Sequence, residues 1–301
     1  MTTCIGYGKI ILLGEHAVVY GYPALAAALD RGVTVAPVPT PAGGPLRLDI
    51  RAWDVKVSAD DDHPVAHSLA AIADELGAGR PPLSLIGDAQ IPPGAGLGSS
   101  AALAVAVARA LLTYRKQPLD AATVTRAAGA SENLVHKRPS GVDVALAIAG
   151  GVGVFRRSSG LASLTGVRPL RVLVGPSGTP RSTAAMVERV AEVTGAKTDD
   201  ARLRELGGLT DGGTAALLAA DLPALGAAMN RAHALLGELG VSTPQLDALC
   251  EAARTAGAHG AKLTGAGGGG AIIAVAARDR EPAVLAAWKH AGIDGFVATV
   301  R

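Results

Sequence analysis

Between residues 91 and 100 the chain reads Ile-Pro-Pro-Gly-Ala-Gly-Leu-Gly-Ser-Ser. A short apolar run at 83–85 leads towards it as a strand, and an Ala/Val/Leu-rich segment at 101–112 follows it as a helix. Glycine at every second position lets the backbone take positive φ and turn its N–H groups inward with no side chain in the way. The loop delivers those groups to a helix N-terminus, where unpaired donors and the macrodipole favour an anion. Ser99 and Ser100 place hydroxyls at the capping position, one to cap the helix and one to reach a ligand or metal. Such a stretch is either a phosphate cradle or a flexible loop with an ordinary serine cap, and a glycine-rich loop alone does not decide between them.

Composition limits what can surround this loop. The 301 residues suffice for two modest domains or one large one. Apolar residues make up 49% and aromatics only 3%, so the core is built from Ala, Val, Leu and Ile. A net charge of +2 without any block of like charge gives no electrostatic support to a nucleic-acid or membrane-surface role. Two cysteines far apart, Cys4 and Cys250, make no disulfide framework and fit a reducing, cytoplasmic setting. No basic stretch followed by a long apolar run opens the chain, so no signal peptide is expected. The richest apolar segment, 101–112, carries Arg109 and is too short to span a bilayer.

Patterning predicts strands at 5–13, 33–38, 46–50, 55–57, 83–85, 152–155, 170–174, 261–263, 271–275 and 295–300. It predicts helices at 65–76 with Asp62 as N-cap, at 101–112, at 118–134, and at 140–148 opened by Pro139. Further helices are expected at 182–193, 200–206, 214–220, 222–236, 244–256 and 281–291. Residues 158–165 read as a polar connection, and the domain boundary is placed there: an N-terminal domain 1–160 and a C-terminal domain 161–301. Strands alternate with helices throughout, so the class is α/β or α+β.

Several polar residues lie beside apolar runs. No Gly-Lys pair is followed by Ser or Thr, so there is no Walker A motif. Gly265, Gly267 and Gly270 fit G-x-G-x-x-G, but a strand and not a helix follows, which is wrong for a dinucleotide site. That segment reads as a second loop of close backbone approach. Singly, Lys9 in the first strand would face solvent, Glu132 would lie on a helix surface, and Asp143 would be an exposed acid at a helix start. His16, His136 and the pair Arg156-Arg157 are equally unremarkable one at a time.

Their combination resembles a known family. Residues 8–21, Gly-Lys-Ile-Ile-Leu-Leu-Gly-Glu-His-Ala-Val-Val-Tyr-Gly, look like the first motif of the GHMP kinases, the superfamily of galactokinase, homoserine kinase, mevalonate kinase and phosphomevalonate kinase. Residues 92–102 are similar to the second motif, and 262–270, Lys-Leu-Thr-Gly-Ala-Gly-Gly-Gly-Gly, to the third. Order and spacing agree over nearly the whole chain. Within the superfamily, Gly-Glu-His-Ala-Val-Val-x-Gly and Pro-Ser-Gly-Val-Asp are most like the mevalonate kinases. Another small-molecule kinase of the superfamily, such as a phosphomevalonate kinase, is the alternative.

The resemblance implies a two-domain fold. Its N-terminal half is like the second domain of ribosomal protein S5, and its C-terminal half is a ferredoxin-like sandwich. It implies ATP-dependent phosphorylation of mevalonate with Mg2+. Pro92, Gly94, Ala95, Gly96, Leu97, Gly98, Ser99 and Ser100 then hold the ATP phosphates. Ser100 and Glu132, eleven residues before Asp143, match the magnesium ligands. Asp143 matches the catalytic aspartate that takes the hydroxyl proton. Lys9 matches the lysine that lowers the hydroxyl pKa and stabilises charge on the transferred group. His16 and Thr183 match positions lining the substrate pocket. Arg156, on the strand after the catalytic helix, is expected to clamp the substrate carboxylate. Relatives are often homodimers, so a dimer is a further expectation. Two positions depart from the pattern: Lys137 stands where His-Gly-x-Pro has glycine, and Val144 where many relatives have Asn or another polar residue.

Overall fold

A computed structural model describes residues 2–135, 141–179 and 182–300. The chain forms two compact units, one of Met1–Gly8, Arg31–Pro93 and Gly98–Ala149, the other of Lys9–Asp30, Gly94–Leu97 and Gly150–Arg301. Strands β1 (Cys4–Leu13) and β2 (Ala24–Pro39) run through both.

In the first unit β2 pairs antiparallel with β5 (Leu83–Ala89), Val33 opposite Ala89 and Pro39 opposite Leu83. Strand β3 (Arg47–Ile50) lies parallel to β5, Leu48 opposite Leu85, and forms a hairpin with β4 (Val55–Ser58). Helices α1 (Pro64–Glu75), α2 (Ser99–Tyr114), α3 (Ala121–Val135) and α4 (Val142–Ala149) complete the unit. Helix α2 is buried almost all round, which is why it is so rich in alanine: small side chains let α1, α3 and α4 close on it together. Strand β1 comes closer still. A Cβ on Gly6 would sit 2.0 Å from the Ala102 carbonyl oxygen of α2. Arg109, the charge inside the apolar run, reaches the ends of two neighbours: its guanidinium donates to Ile5 O in β1 (2.5 Å) and Ile148 O in α4 (2.8 Å).

In the second unit β2 pairs with β6 (Val152–Arg156), Ala24 opposite Phe155, and β6 with β7 (Gly160–Ser163). A separate antiparallel sheet contains β8 (Leu170–Pro176), β9 (Ala258–Thr264), β10 (Ala271–Ala276) and β11 (Phe296–Val300), in the order β11-β8-β10-β9. Counted along the chain that order is 4-1-3-2. Helices α5 (Thr183–Thr194), α6 (Ala201–Ala219), α7 (Leu222–Glu238) and α8 (Pro244–Thr255) separate the first two of these strands, and α9 (Glu281–His290) the last two. This is an elaborated β-α-β-β-α-β, the ferredoxin-like arrangement. Trp288 of α9 is wholly buried, its indole N–H donating to Leu249 O of α8 (3.0 Å).

Four local expectations change. Helix α6 is continuous where glycines suggested two helices. Its Gly207 and Gly213 are points of close approach, where a Cβ would lie 2.6 Å from Tyr22 and 2.0 Å from Leu13. The strand expected at 33–38 begins much earlier, at Ala24, as the single strand β2. The polar connection at 158–165 contains β7, held as a hairpin to β6. Helix α1 is capped by His63 and not Asp62: the imidazole Nδ1 accepts from Val65 N–H (3.1 Å), with Pro64 starting the helix.

The contact of β1 with α2 leaves no room for a methyl group. Replacement Gly6→Ala should destabilise by roughly 1–3 kcal/mol or more through overpacking, read as a lowered thermal midpoint. An unchanged midpoint would show that α2 does not need that approach.

Candidate active site

The loop between β5 and α2 takes the expected conformation. Gly94, Gly96 and Gly98 have φ of 71°, 77° and 72°, alternating with ordinary φ at Ala95 and Leu97, whose side chains are buried as anchors. Alternation of this kind turns successive backbone N–H groups towards one side, as in an anion-binding nest. Leu97 O accepts the backbone N–H of Lys9 (2.8 Å), which fixes the loop to β1.

One expectation at the loop's end is corrected. The N-cap of α2 is Gly98, with no side-chain cap, and Ser99 and Ser100 are the first two helical residues. The left-handed backbone needed at that point suits glycine, not serine. Ser100 has a different partner: its hydroxyl donates to the Glu132 carboxylate on α3, 32 residues further on. Glu132 is buried, against the expectation for a lone acid on a helix flank. A hydroxyl and a carboxylate oxygen brought together suit a hard divalent cation that keeps water and phosphate oxygens as its other ligands. Among the described residues no three His, Cys, Asp or Glu side chains gather into a metal site of their own.

Asp143 stands in the first turn of α4, half-buried, behind Gly141 at φ 87°. Because Arg109 of α2 holds the C-terminal end of α4, the helix bearing Ser100 and the helix bearing Asp143 are fixed to each other by a side chain in neither motif. Val144, the departure from the family pattern, is buried. His136, Lys137, Arg138, Pro139 and Ser140 lie outside the described residues, as do Pro180 and Arg181.

In the second unit Lys9 is only 3% exposed, so it is not the solvent-facing strand lysine that its surroundings suggested. The turn after β1 is tied to β9 and the loop beyond it. Glu15 and Lys262, both without solvent exposure, form an ion pair and hydrogen bond. Lys262 also donates to Leu263 O (2.6 Å). Burial pushes the Glu15 pKa up and the Lys262 pKa down, and each partner's charge opposes the other's shift. The charge of Lys9 also acts to lower that of Glu15. Thr264 accepts from Ile11 N–H (2.9 Å) and donates to Ile11 O (3.0 Å). His16 Nε2–H donates to Ala266 O (2.8 Å), so Nε2 is the protonated ring nitrogen. Reasoning from the residues left Glu15, Lys262 and Thr264 without roles. Their signal was present: each belongs to a motif already singled out.

The remaining candidates sit on separate elements. Arg156 ends β6, exposed, opposite Gly160, and Thr183 opens α5, half-buried, after the cap Ser182. The glycine-rich segment 265–270 is a loop of close approach, as expected: a Cβ on Gly267 would lie 2.1 Å from Val241 O, and β10 follows.

Beneath β9, His233 of α7 accepts the Leu263 N–H at Nδ1 (3.3 Å). Its Nε2 lies 3.1 Å from Asp247 without hydrogen-bond alignment, and Cys250 lies 4.0 Å from Nδ1. Burial pushes the His233 pKa down to about 4 against the pull of Asp247, with Lys262 and Arg254 acting in the same direction as burial. Burial likewise pushes the Cys250 thiol up to about 12, so no thiolate forms at neutral pH. A histidine neutral when folded and with a normal pKa when unfolded contributes stability above about pH 6.5 that is lost as pH falls towards 4. That loss should reach up to about 3 kcal/mol. Thermal melts from pH 7.5 down to 4.5 should fall less steeply for His233→Gln than for the unsubstituted protein. Parallel slopes would contradict the assignment.

Two family models match this chain: "GHMP kinases N terminal domain" over residues 64–151 and "GHMP kinases C terminal" over 214–294. The chain belongs to the GHMP kinase family. Among curated relatives, mevalonate kinase of Aeropyrum pernix is 35% identical over 286 residues, 88% of this chain and 86% of its own length. Mevalonate kinase of Thermococcus sibiricus is 36% identical over 94% of this chain and 91% of its own. Among solved structures, the L. major mevalonate kinase in complex with R-mevalonate superposes with a TM-score of 0.86 at 28% identity, covering 100% of this chain and 96% of that one.

Proposed function

We propose that the chain transfers the γ-phosphoryl group of ATP to the primary hydroxyl of mevalonate, giving 5-phosphomevalonate. The observation that carries this is the run of curated mevalonate kinases about 35% identical over most of the chain, which fits the Ser100–Glu132 pair. In the transfer the bond from the γ-phosphorus to the β-bridging oxygen breaks and a bond to the substrate oxygen forms. Positioning and charge neutralisation matter more here than covalent catalysis.

Each residue takes one part of that work. Backbone amides of 94–100, at the start of α2, hold the phosphates. Ser100 and Glu132 would hold Mg2+, which would supply neutralisation of the charge on the phosphate oxygens. Asp143 accepts the proton of the substrate hydroxyl. The ammonium of Lys9, kept from solvent, favours the alkoxide and the charge on the group in transfer. His16 and Thr183 line the pocket for the alcohol, and Arg156 pairs with its carboxylate. The division near residue 160 is proposed on the same footing, since the two matched segments fall on either side of it. The enzyme is proposed to work in the cytoplasm. No helix among the described residues is long and apolar enough to cross a membrane.

A coupled assay of ADP release against mevalonate, phosphomevalonate, homoserine and galactose tests the reading. Mevalonate should be the preferred acceptor; preference for any other, or ADP release with none, overturns it. Asp143→Asn should lower kcat by on the order of 10²–10⁴, whereas Arg156→Ala should raise the KM for mevalonate and spare that for ATP. An unchanged mevalonate KM would remove Arg156 from the pocket.

A further inference from the structure

Three side-chain contacts join residues 262–266 to the end of β1 and the turn after it, each across about 250 positions of sequence. They are Lys262 to Glu15, Thr264 to Ile11, and the Ala266 carbonyl to the His16 ring. The turn they grip is strained. His16 has φ 59° and ψ −47°, a conformation that a residue with a Cβ adopts only when its surroundings enforce it. Gly14 before it is at φ 93°, with Pro23 O at 2.4 Å from where a Cβ would stand, so the turn cannot relax on that side.

Glu15 is the residue between them. A fully buried ion pair is a poor way to stabilise a fold, because desolvation offsets its attraction and an apolar pair of similar volume serves as well. This pair is also unfinished: Glu15 Oε2 is buried with no hydrogen-bond partner. What the pair does accomplish is placement. It fixes the backbone immediately before His16, while Ala266, four residues beyond Lys262, fixes the ring of His16 itself.

We propose that Glu15 and Lys262 are positioning residues that hold the His16 turn in its strained form and thereby shape the pocket for the alcohol substrate. This rests on the assignment of His16 to that pocket in the preceding reading. The third glycine-rich motif then serves the acceptor side as well as whatever it does for the nucleotide.

The test compares the unsubstituted protein with Glu15→Gln and with the apolar pair Glu15→Leu/Lys262→Met. The apolar pair should fold with a thermal midpoint near the original. In both variants the KM for mevalonate should rise about tenfold or more, while the KM for ATP stays within about twofold. In parallel, the Nε2–H proton of His16 is observed by NMR. Protected by Ala266 in the original, it should be lost to solvent exchange in both variants. A double variant that does not fold makes the pair a requirement of the fold and overturns the proposal. So do variants that keep both KM values and the protected proton. If the unsubstituted protein releases no ADP with mevalonate, the functional reading fails, and the NMR comparison still decides the positioning claim.

Discussion

A lysine and a glutamate, each without solvent contact, bond to one another at the junction of the first and third glycine-bearing motifs. That bond is one of three polar contacts between residues 262–266 and residues 11–16. It sets the turn in which His16 is forced into positive φ, and it fixes β9 beside β1, where Thr264 bridges both backbone groups of Ile11. His233 supports the same strand from below by accepting the Leu263 N–H. Removing either partner would leave a lone charge in an apolar interior, which is far more damaging than removing both.

In the first unit the corresponding constraint is steric. Strand β1 can lie against α2 only because Gly6 has no side chain, and α2 can be enclosed only because its residues are small. That packing leaves the N-terminus of α2 pointing out of the last glycine of the loop, with Ser100 against Glu132. Arg109 carries the arrangement on to α4 and so to Asp143. The chemistry proposed for these groups is modest in kind: hold phosphate oxygens, share a cation, accept one proton. The demand on geometry is high, which is why helices and not loops bear most of them.

Much of this was legible in the residues. The alternating glycines at 94, 96 and 98 announced their own φ values, and β5 and α2 appeared on either side as expected. The order of strands in the second sheet was not visible, because pairing between distant strands leaves no local trace. Local rules failed where tertiary contact overrode them. Glycines in α6 looked like breaks and are contact points, and Lys9 looked solvent-facing and is buried. The serine cap was misplaced by one residue because the last glycine of the loop takes the cap itself. Glu15 and Lys262 show the limit most clearly. Each is an ordinary charged residue in its own stretch, and only the fold, closing 247 positions of sequence, makes them a pair.

In the proposed reaction these groups direct the γ-phosphoryl group onto one particular oxygen. The most direct measurement is phosphorus NMR of the purified protein mixed with ATP, Mg2+ and (R)-mevalonate. The γ-phosphate signal of ATP should fall as one phosphomonoester signal grows in equal amount, split into a triplet by the two protons of the adjacent methylene carbon. A monoester signal without that splitting, which marks the tertiary hydroxyl, or growth of inorganic phosphate alone, would contradict it.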